Sequence, residues 1–251
     1  MKRRGGLQAL AALAAAFCTV AASAQPLPQG FVHLADVAPA IRQDIRYAGS
    51  RNFMGRPAAG YHAAECVLTR RAAEALARAQ AEIAPRGLTL VVWDCYRPQR
   101  AVADFMAWTR DATDQRMRAI YYPRVDKRDL SVQGYLSSRS THSRGSTVDL
   151  GLARSGDAAA GGTGACAEPH GTRIDDGVLD FGTAYDCFDT LSHVRAPGIG
   201  REAATNRALL AGLMQRHGFR AYAKEWWHFQ LRDEPFPTQS FDFPVPPRGS
   251  R

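Results

Sequence analysis

The sequence contains no C-x-x-C pair, no run of five or more like charges, no internal repeat, and only one long apolar stretch. Without closely spaced thiols, a four-cysteine zinc site is disfavoured. The formal charge of +8 is spread along the chain, which argues against a nucleic-acid or lipid-surface partner, because those use clustered basic residues. Hydrophobic residues at 45% and charged residues at 22% sit near globular averages and argue against a disordered or coiled-coil chain. Among 251 residues there is no linker long enough to separate two units, so one large domain is expected.

The single apolar stretch, Leu7 to Ala24, follows Lys2-Arg3-Arg4 and ends in Ala22-Ser23-Ala24. These are the charged, apolar and small-residue zones of a secretory signal. Residues 1–24 are therefore expected to be removed, leaving 25–251 as the folded domain of a periplasmic or secreted protein. Cys18 follows Phe17, a poor context for lipidation, so no membrane anchor is expected after cleavage.

Four cysteines remain, Cys66, Cys95, Cys166 and Cys187, an even number in an oxidising compartment that allows three pairings. Residues 67–84 read as a helix, with Leu68, Ala72, Leu76, Ala79 and Ile83 on one face and Arg71, Glu74, Arg78 and Glu82 on the other. Pro85 and Gly87 end it, and residues 88–95 read as a buried strand. At ~1.5 Å per helical residue and ~3.3 Å per strand residue, both segments span about 26 Å. The returning strand thus brings Cys95 beside Cys66. Cys166 and Cys187 then close a loop over the Gly- and Ala-rich residues 154–178.

Further helices are expected at 99–111 and at 201–217, where Leu209, Leu210, Leu213 and Met214 form an apolar face and Gly218 a cap. Strands are expected at 146–152 and 226–231, and the Pro-rich tail after Asp233 should run extended over the surface. Helices and strands mix without regular βαβ alternation, which indicates an α+β fold.

Three segments carry chemistry. In Ser140-Thr141-His142-Ser143-Arg144-Gly145-Ser146-Thr147-Val148-Asp149, a polar loop enters an apolar strand that contains an acid. A buried carboxylate costs several kcal/mol unless it is paired or bound to a metal. Asp149 is thus either an ion-pair partner or a ligand, and His142 either a loop residue or a second ligand, if Gly145 lets the chain turn back. In Glu225-Trp226-Trp227-His228-Phe229, an acid and a histidine interrupt large aromatics that read as core or cleft walls. Residues three apart on a regular strand face opposite sides, so Glu225 and His228 share a site only if the strand bends or bulges; otherwise His228 is a core histidine.

Together, His142, Asp149 and His228 form a three-ligand set with one open position, the arrangement of a hydrolytic zinc site. Such a zinc lowers the pKa of a water toward ~7, and Glu225 can act as general base. The third segment, Trp93-Asp94-Cys95-Tyr96-Arg97-Pro98, puts Arg97 at a strand end, either as the partner of a developing oxyanion or as a structural pair with Asp94.

STHSRGSTVD, EWWHF and DCYRPQRAV together resemble the zinc D-alanyl-D-alanine dipeptidases of the VanX type, and similar blocks recur at 46–61, 121–123, 179–189, 206–219 and 232–245. The resemblance implies one zinc per chain on His142, Asp149 and His228, Glu225 as catalytic base and Arg97 as transition-state stabiliser. It further implies that Tyr47, Asp149 and Asp186 hold the amino group of a small dipeptide and Ser140 its carboxylate. The implied fold is a single domain with a small antiparallel sheet flanked by helices, as in the zinc D,D-peptidases and hedgehog signalling domains. Thr147 and Thr141 stand where the family usually has Ala and Ser. The expected reaction is cleavage of D-Ala-D-Ala; a D,D-carboxypeptidase acting on longer muropeptides and a non-catalytic binder of cell-wall fragments are the alternatives.

Overall fold

The structure, a computed structural model, describes residues 26–157, 162–174 and 176–249; the signal reading of residues 1–24 lies outside them. Two sheets organise the chain. A two-stranded antiparallel sheet pairs β1 (Phe31–His33) with β3 (Val67–Thr69). A five-stranded sheet runs in the order β2 (Arg42–Gln43), β4 (Leu88–Asp94), β5 (Thr147–Arg154), β7 (Glu225–Leu231), β6 (Phe219–Tyr222). Within it β2 pairs with β4 in parallel and every other pairing is antiparallel.

The main sheet is therefore larger than expected, and mixed. The two-residue β2 and three-residue β1 and β3 are too short for any hydrophobic period, which is why the sequence concealed them. The helices are α1 (Leu34–Val37), α2 (Arg70–Ile83), α3 (Gln99–Arg110), α4 (Arg118–Tyr121) and α5 (Arg201–Arg216).

The expected helix at 67–84 loses its first turn to β3. Thr69 ends that strand and its hydroxyl accepts a hydrogen bond from the Ala72 amide, capping α2. Ala72, Leu76, Ala79 and Ile83 are buried along one face of α2, and Gly87, in the left-handed region at φ 68°, reverses the chain into β4. Cys66 and Cys95 end up bonded, with Cα atoms 5.3 Å apart; Cys166 and Cys187 form a second bond at 5.4 Å.

The tail runs extended and largely exposed, as expected, but is pinned to the body at several apolar residues. Phe236, Phe241 and Phe243 pack around Phe31, with ring centroids 5.0–5.8 Å from it, and Val245 is fully buried beside Tyr61. The prolines keep the segment extended, while the half-buried phenylalanines between them pack against the core and the fully buried Val245 contributes roughly 1.5–3 kcal/mol.

Candidate active site

The register of the main sheet sets the site. Asp94 on β4 pairs across to Asp149 on β5, and Asp149 pairs across to His228 on β7. Directly opposed residues point to the same face, so three strands deliver Asp94, Asp149 and His228 as one transverse row. His142 arrives from the turn Thr141–Arg144 that precedes β5. Gly145 lets the chain reverse there at φ 78°, and a Cβ at that position would lie 2.2 Å from the Phe31 ring, so only glycine fits.

Three ligand-type atoms converge. His142 Nε2 and His228 Nδ1 lie 3.3 and 3.1 Å from Asp149 Oδ1, and 3.3 Å from each other. Tetrahedral ligands at 2.0–2.1 Å from a metal are about 3.3 Å apart, so the spacing matches an ion held between these atoms. Asp149 Oδ1 is buried and accepts no hydrogen bond, a costly state for a carboxylate oxygen unless a cation sits against it.

The outer nitrogens fit as well. His142 Nδ1 is 2.7 Å from the Cys95 carbonyl, and a proton on that nitrogen leaves the Nε2 lone pair facing the other two ligands. His228 Nε2 lies 3.4 Å from Thr141 Oγ1, a hydroxyl able to accept a proton from that nitrogen. Burial pushes Asp149 up, yet the facing His142 and His228 rings hold its carboxyl well below the usual carboxylate range. Burial drives His228 the other way, toward the neutral imidazole that a metal requires.

Glu225 reaches this cluster through a bulge. Ala221 on β6 pairs with Phe229, but the next residue, Tyr222, pairs with Glu225, so Trp226, Trp227 and His228 are looped out of the β6 ladder. Glu225 Oε2 consequently lies 3.5 Å from His228 Nδ1. Burial, reinforced by Asp149 and Asp186, pushes the Glu225 carboxyl well above its ordinary value. The two tryptophans divide the roles expected of them. Trp226 stacks on Phe181 at 4.2 Å in the core, while Trp227 lines the cleft.

Arg97 is paired with Asp94 and also faces the cleft. Its Nε and Nη2 each lie 2.8 Å from Asp94 Oδ2, while Nη2 is also 3.6 Å from Asp149 Oδ2 and the group lines the cleft. Asp94 is held in turn by the Tyr61 hydroxyl at 2.5 Å. Pairing with Asp94 thus aims the guanidinium, with its plane over the Tyr47 and Phe105 rings at 5.2 and 5.1 Å.

Loops build the other wall. Tyr47 lies in the short helical turn Arg46–Ala48 and donates from its hydroxyl to Asp186 Oδ2 at 2.8 Å. Asp186 has φ 57°, the one left-handed non-glycine among the described residues, a conformation that Asp tolerates at a cost of about 1–2 kcal/mol. Burial and the Asp149 charge raise its carboxyl well above the ordinary range, against the Tyr47 hydrogen bond. Ser140 caps the His142 turn, its hydroxyl accepting from the His142 amide at 3.3 Å. Tyr47, Arg97, Ser140, His142, Asp149, Asp186, Glu225 and His228 all line one cleft of about 240 Å³, smaller than the roughly 300–1,000 Å³ of drug-sized sites.

Residues 28–246 match the peptidase M15 family described as D-ala-D-ala dipeptidase. The chain belongs to this family. It is similar to the D-alanyl-D-alanine dipeptidase of Enterococcus faecium, 39% identical over 86% of this chain and 98% of that protein. The enzyme of the same name from Enterococcus faecalis (strain ATCC 700802 / V583) is 37% identical over 87% of this chain and 100% of that protein. That of Escherichia coli (strain K12) is 32% identical over 80% and 83%.

In this member of the D-ala-D-ala dipeptidase family, two residues that the sequence left unremarked support the site. Tyr185 donates from its hydroxyl to Asp149 Oδ2 at 3.1 Å and stacks on Trp93 at 4.8 Å; its place directly before Asp186 was the available signal. Arg207 on α5 is buried and donates to the carbonyls of Phe181, Leu191 and His193 at 2.6–2.8 Å, stitching the loop that carries Asp186. Burial and the nearby Arg173 lower its pKa to about 10. Nothing in a helical sequence pattern distinguishes such an arginine from a solvated one.

Proposed function

We propose that this protein is an exported zinc dipeptidase that hydrolyses D-Ala-D-Ala to two D-alanines. The observation that carries the reading is the spacing of His142 Nε2, Asp149 Oδ1 and His228 Nδ1 at 3.1–3.3 Å with Glu225 3.5 Å from one of them. Two nitrogens and a carboxylate without thiolate suit zinc. When bound, the metal supplies Lewis acidity, polarising a carbonyl and acidifying a water.

The chain's own groups do the rest. Asp186 and Tyr47, joined at 2.8 Å, receive the free amino group at the buried end of the cleft, where a neutralised or longer amino terminus fits poorly. Glu225, raised in pKa by burial, takes a proton from the attacking water and passes it to the leaving amine. Arg97, aimed by Asp94, stabilises the oxyanion that develops at the scissile carbonyl. The closeness of Glu225 to His228 favours a hydrolase over a metal-stabilised binder, since binding alone needs no base.

We read residues 1–24 as the export signal and 25–251 as the mature domain, and the fold as that of the zinc D,D-peptidases and hedgehog signalling domains. The oxidising compartment that this implies agrees with two disulfides. The deciding experiment measures amine release from D-Ala-D-Ala and from a pentapeptide ending in D-Ala-D-Ala, by metal-loaded and chelated protein. Turnover of the dipeptide alone, abolished by chelation, is expected. Preference for the pentapeptide would make the protein a carboxypeptidase, and no turnover of either would refute a peptidase. Amino-terminal sequencing of the exported protein tests the cleavage site.

A further inference from the structure

We propose that Arg139 is the carboxylate anchor of the cleft, pairing with the free carboxyl terminus of the dipeptide and so selecting substrates that end at their second residue. The inference rests on the dipeptidase reading and adds a specificity-determining residue to it.

The charges lining the cleft are unevenly committed. Three carboxylates line it, Asp149, Asp186 and Glu225, together with two guanidinium groups, Arg97 and Arg139. Arg97 is already paired with Asp94 and faces Asp149. Among the described residues the Arg139 side chain has no ion pair or hydrogen bond; only its backbone amide is engaged, donating to Ser137 Oγ at 3.2 Å. Arg139 is thus the free cation among the described residues that line the site.

Depth gives these charges an order. Asp149, Asp186 and Glu225 are 2%, 5% and 8% exposed, whereas Arg139 is exposed at the mouth. A cleft with acids at its buried end and an unpaired cation at its open end complements a zwitterion lying along it, amine inward and carboxylate outward. Ser140, the next residue, also lines the cleft, so a carboxylate at Arg139 has a hydroxyl within the same turn of chain. The planar guanidinium fork matches a carboxylate in two parallel hydrogen bonds, a geometry that an ammonium lacks.

Selection at the two ends of the substrate then has different physical origins. A longer amino-terminal side meets the closed, acid-lined floor. A carboxyl-terminal extension or amide has room at the mouth but forfeits the charge pair, so it is rejected electrostatically.

The test compares D-Ala-D-Ala with D-Ala-D-alaninamide, which lacks the charge, in metal-loaded wild type, Arg139→Gln and Arg139→Lys. In wild type the acid is the better substrate. Arg139→Gln should raise KM for the acid about ten-fold with kcat changed far less, and shrink the preference for acid over amide by the same factor. Arg139→Lys should recover part of that preference, because it restores charge without the fork. A KM and an acid-to-amide preference unchanged from wild type in Arg139→Gln would overturn the proposal while leaving the dipeptidase reading intact. A loss confined to kcat would overturn it too, and a wild type unable to cleave D-Ala-D-Ala would remove both.

Discussion

The two walls of the cleft are built by different physics. The ligand wall stands on the main sheet, where ladder hydrogen bonds fix Asp94, Asp149 and His228 in one row. The opposing wall, with Tyr47, Asp186, Ser140 and Arg139, stands on loops and short turns. On the sheet wall the Cys66–Cys95 bond lies just past the end of β4, and Tyr61, Arg97 and Tyr185 hold the carboxylates of Asp94 and Asp149. The loop wall is tied by the Cys166–Cys187 bond, by Arg46 bridging Asp44 and Asp176 at 2.8 and 2.9 Å, and by Arg207 across three carbonyls. Regular structure supplies the ångström-level spacing a metal demands, whereas loops supply substrate contacts and require covalent or ionic ties to hold still. Damage to the sheet wall should therefore appear in kcat or metal content, and damage to the loop wall in KM.

The largest effect expected is from Glu225→Ala, which should lower kcat by roughly 10²–10⁴-fold while bound zinc stays near one per chain. Turnover equal to wild type, with metal content measured alongside, would take Glu225 out of the mechanism. Replacing Cys66 and Cys95 together with serine should cost about 3–4 kcal/mol of stability in the chain-entropy model for a loop closed at a separation of 29 residues, read by denaturant unfolding.

That pair also sharpens an idea about which function suffers. Cys95 lies two residues before Arg97, which suggests a loss of turnover, but its carbonyl also orients His142 at 2.7 Å. Zinc affinity should thus fall as well, on the order of ten-fold. The companion change at Cys166 and Cys187, beside Asp186, should cost about 3 kcal/mol and raise KM for the dipeptide with little change in kcat. Equal kcat losses from both pairs would erase the distinction between the walls.

The smallest effect concerns pH. Burial, with Asp149 and Asp186, raises the folded pKa of Glu225, so in chelated protein its stability contribution is complete below the unfolded carboxylate value and is lost as pH rises above it. Glu225→Gln in chelated protein should therefore raise the melting temperature more at about pH 7 than at about pH 4. A difference of the opposite sign would contradict the crowding of acids at the buried end.

Much of this was legible in the residues. The helical period read over 67–84 and the apolar run at 88–95 announced α2 and β4, and the acid inside the apolar strand marked Asp149, because a buried carboxylate demands a partner. The bulge at β7 followed from the same logic, since Glu225 and His228 could share a site in no other way. The short strands β1, β2 and β3 were invisible, because two or three residues carry no period and owe their state to the strand they pair with.

What the sequence determined by itself was the inventory: which residue types could hold a metal, which cysteines could meet, and roughly where the longer helices and strands lie. These follow from local sterics and from the cost of burying charge. Only the tertiary structure decided the row Asp94, Asp149, His228, the orphaned Asp149 Oδ1 and the division between a paired Arg97 and a free Arg139. The row and the free Arg139 depend on cross-strand register and on which loop lands beside a side chain, and a linear sequence carries no local signal for contacts made between residues dozens of positions apart.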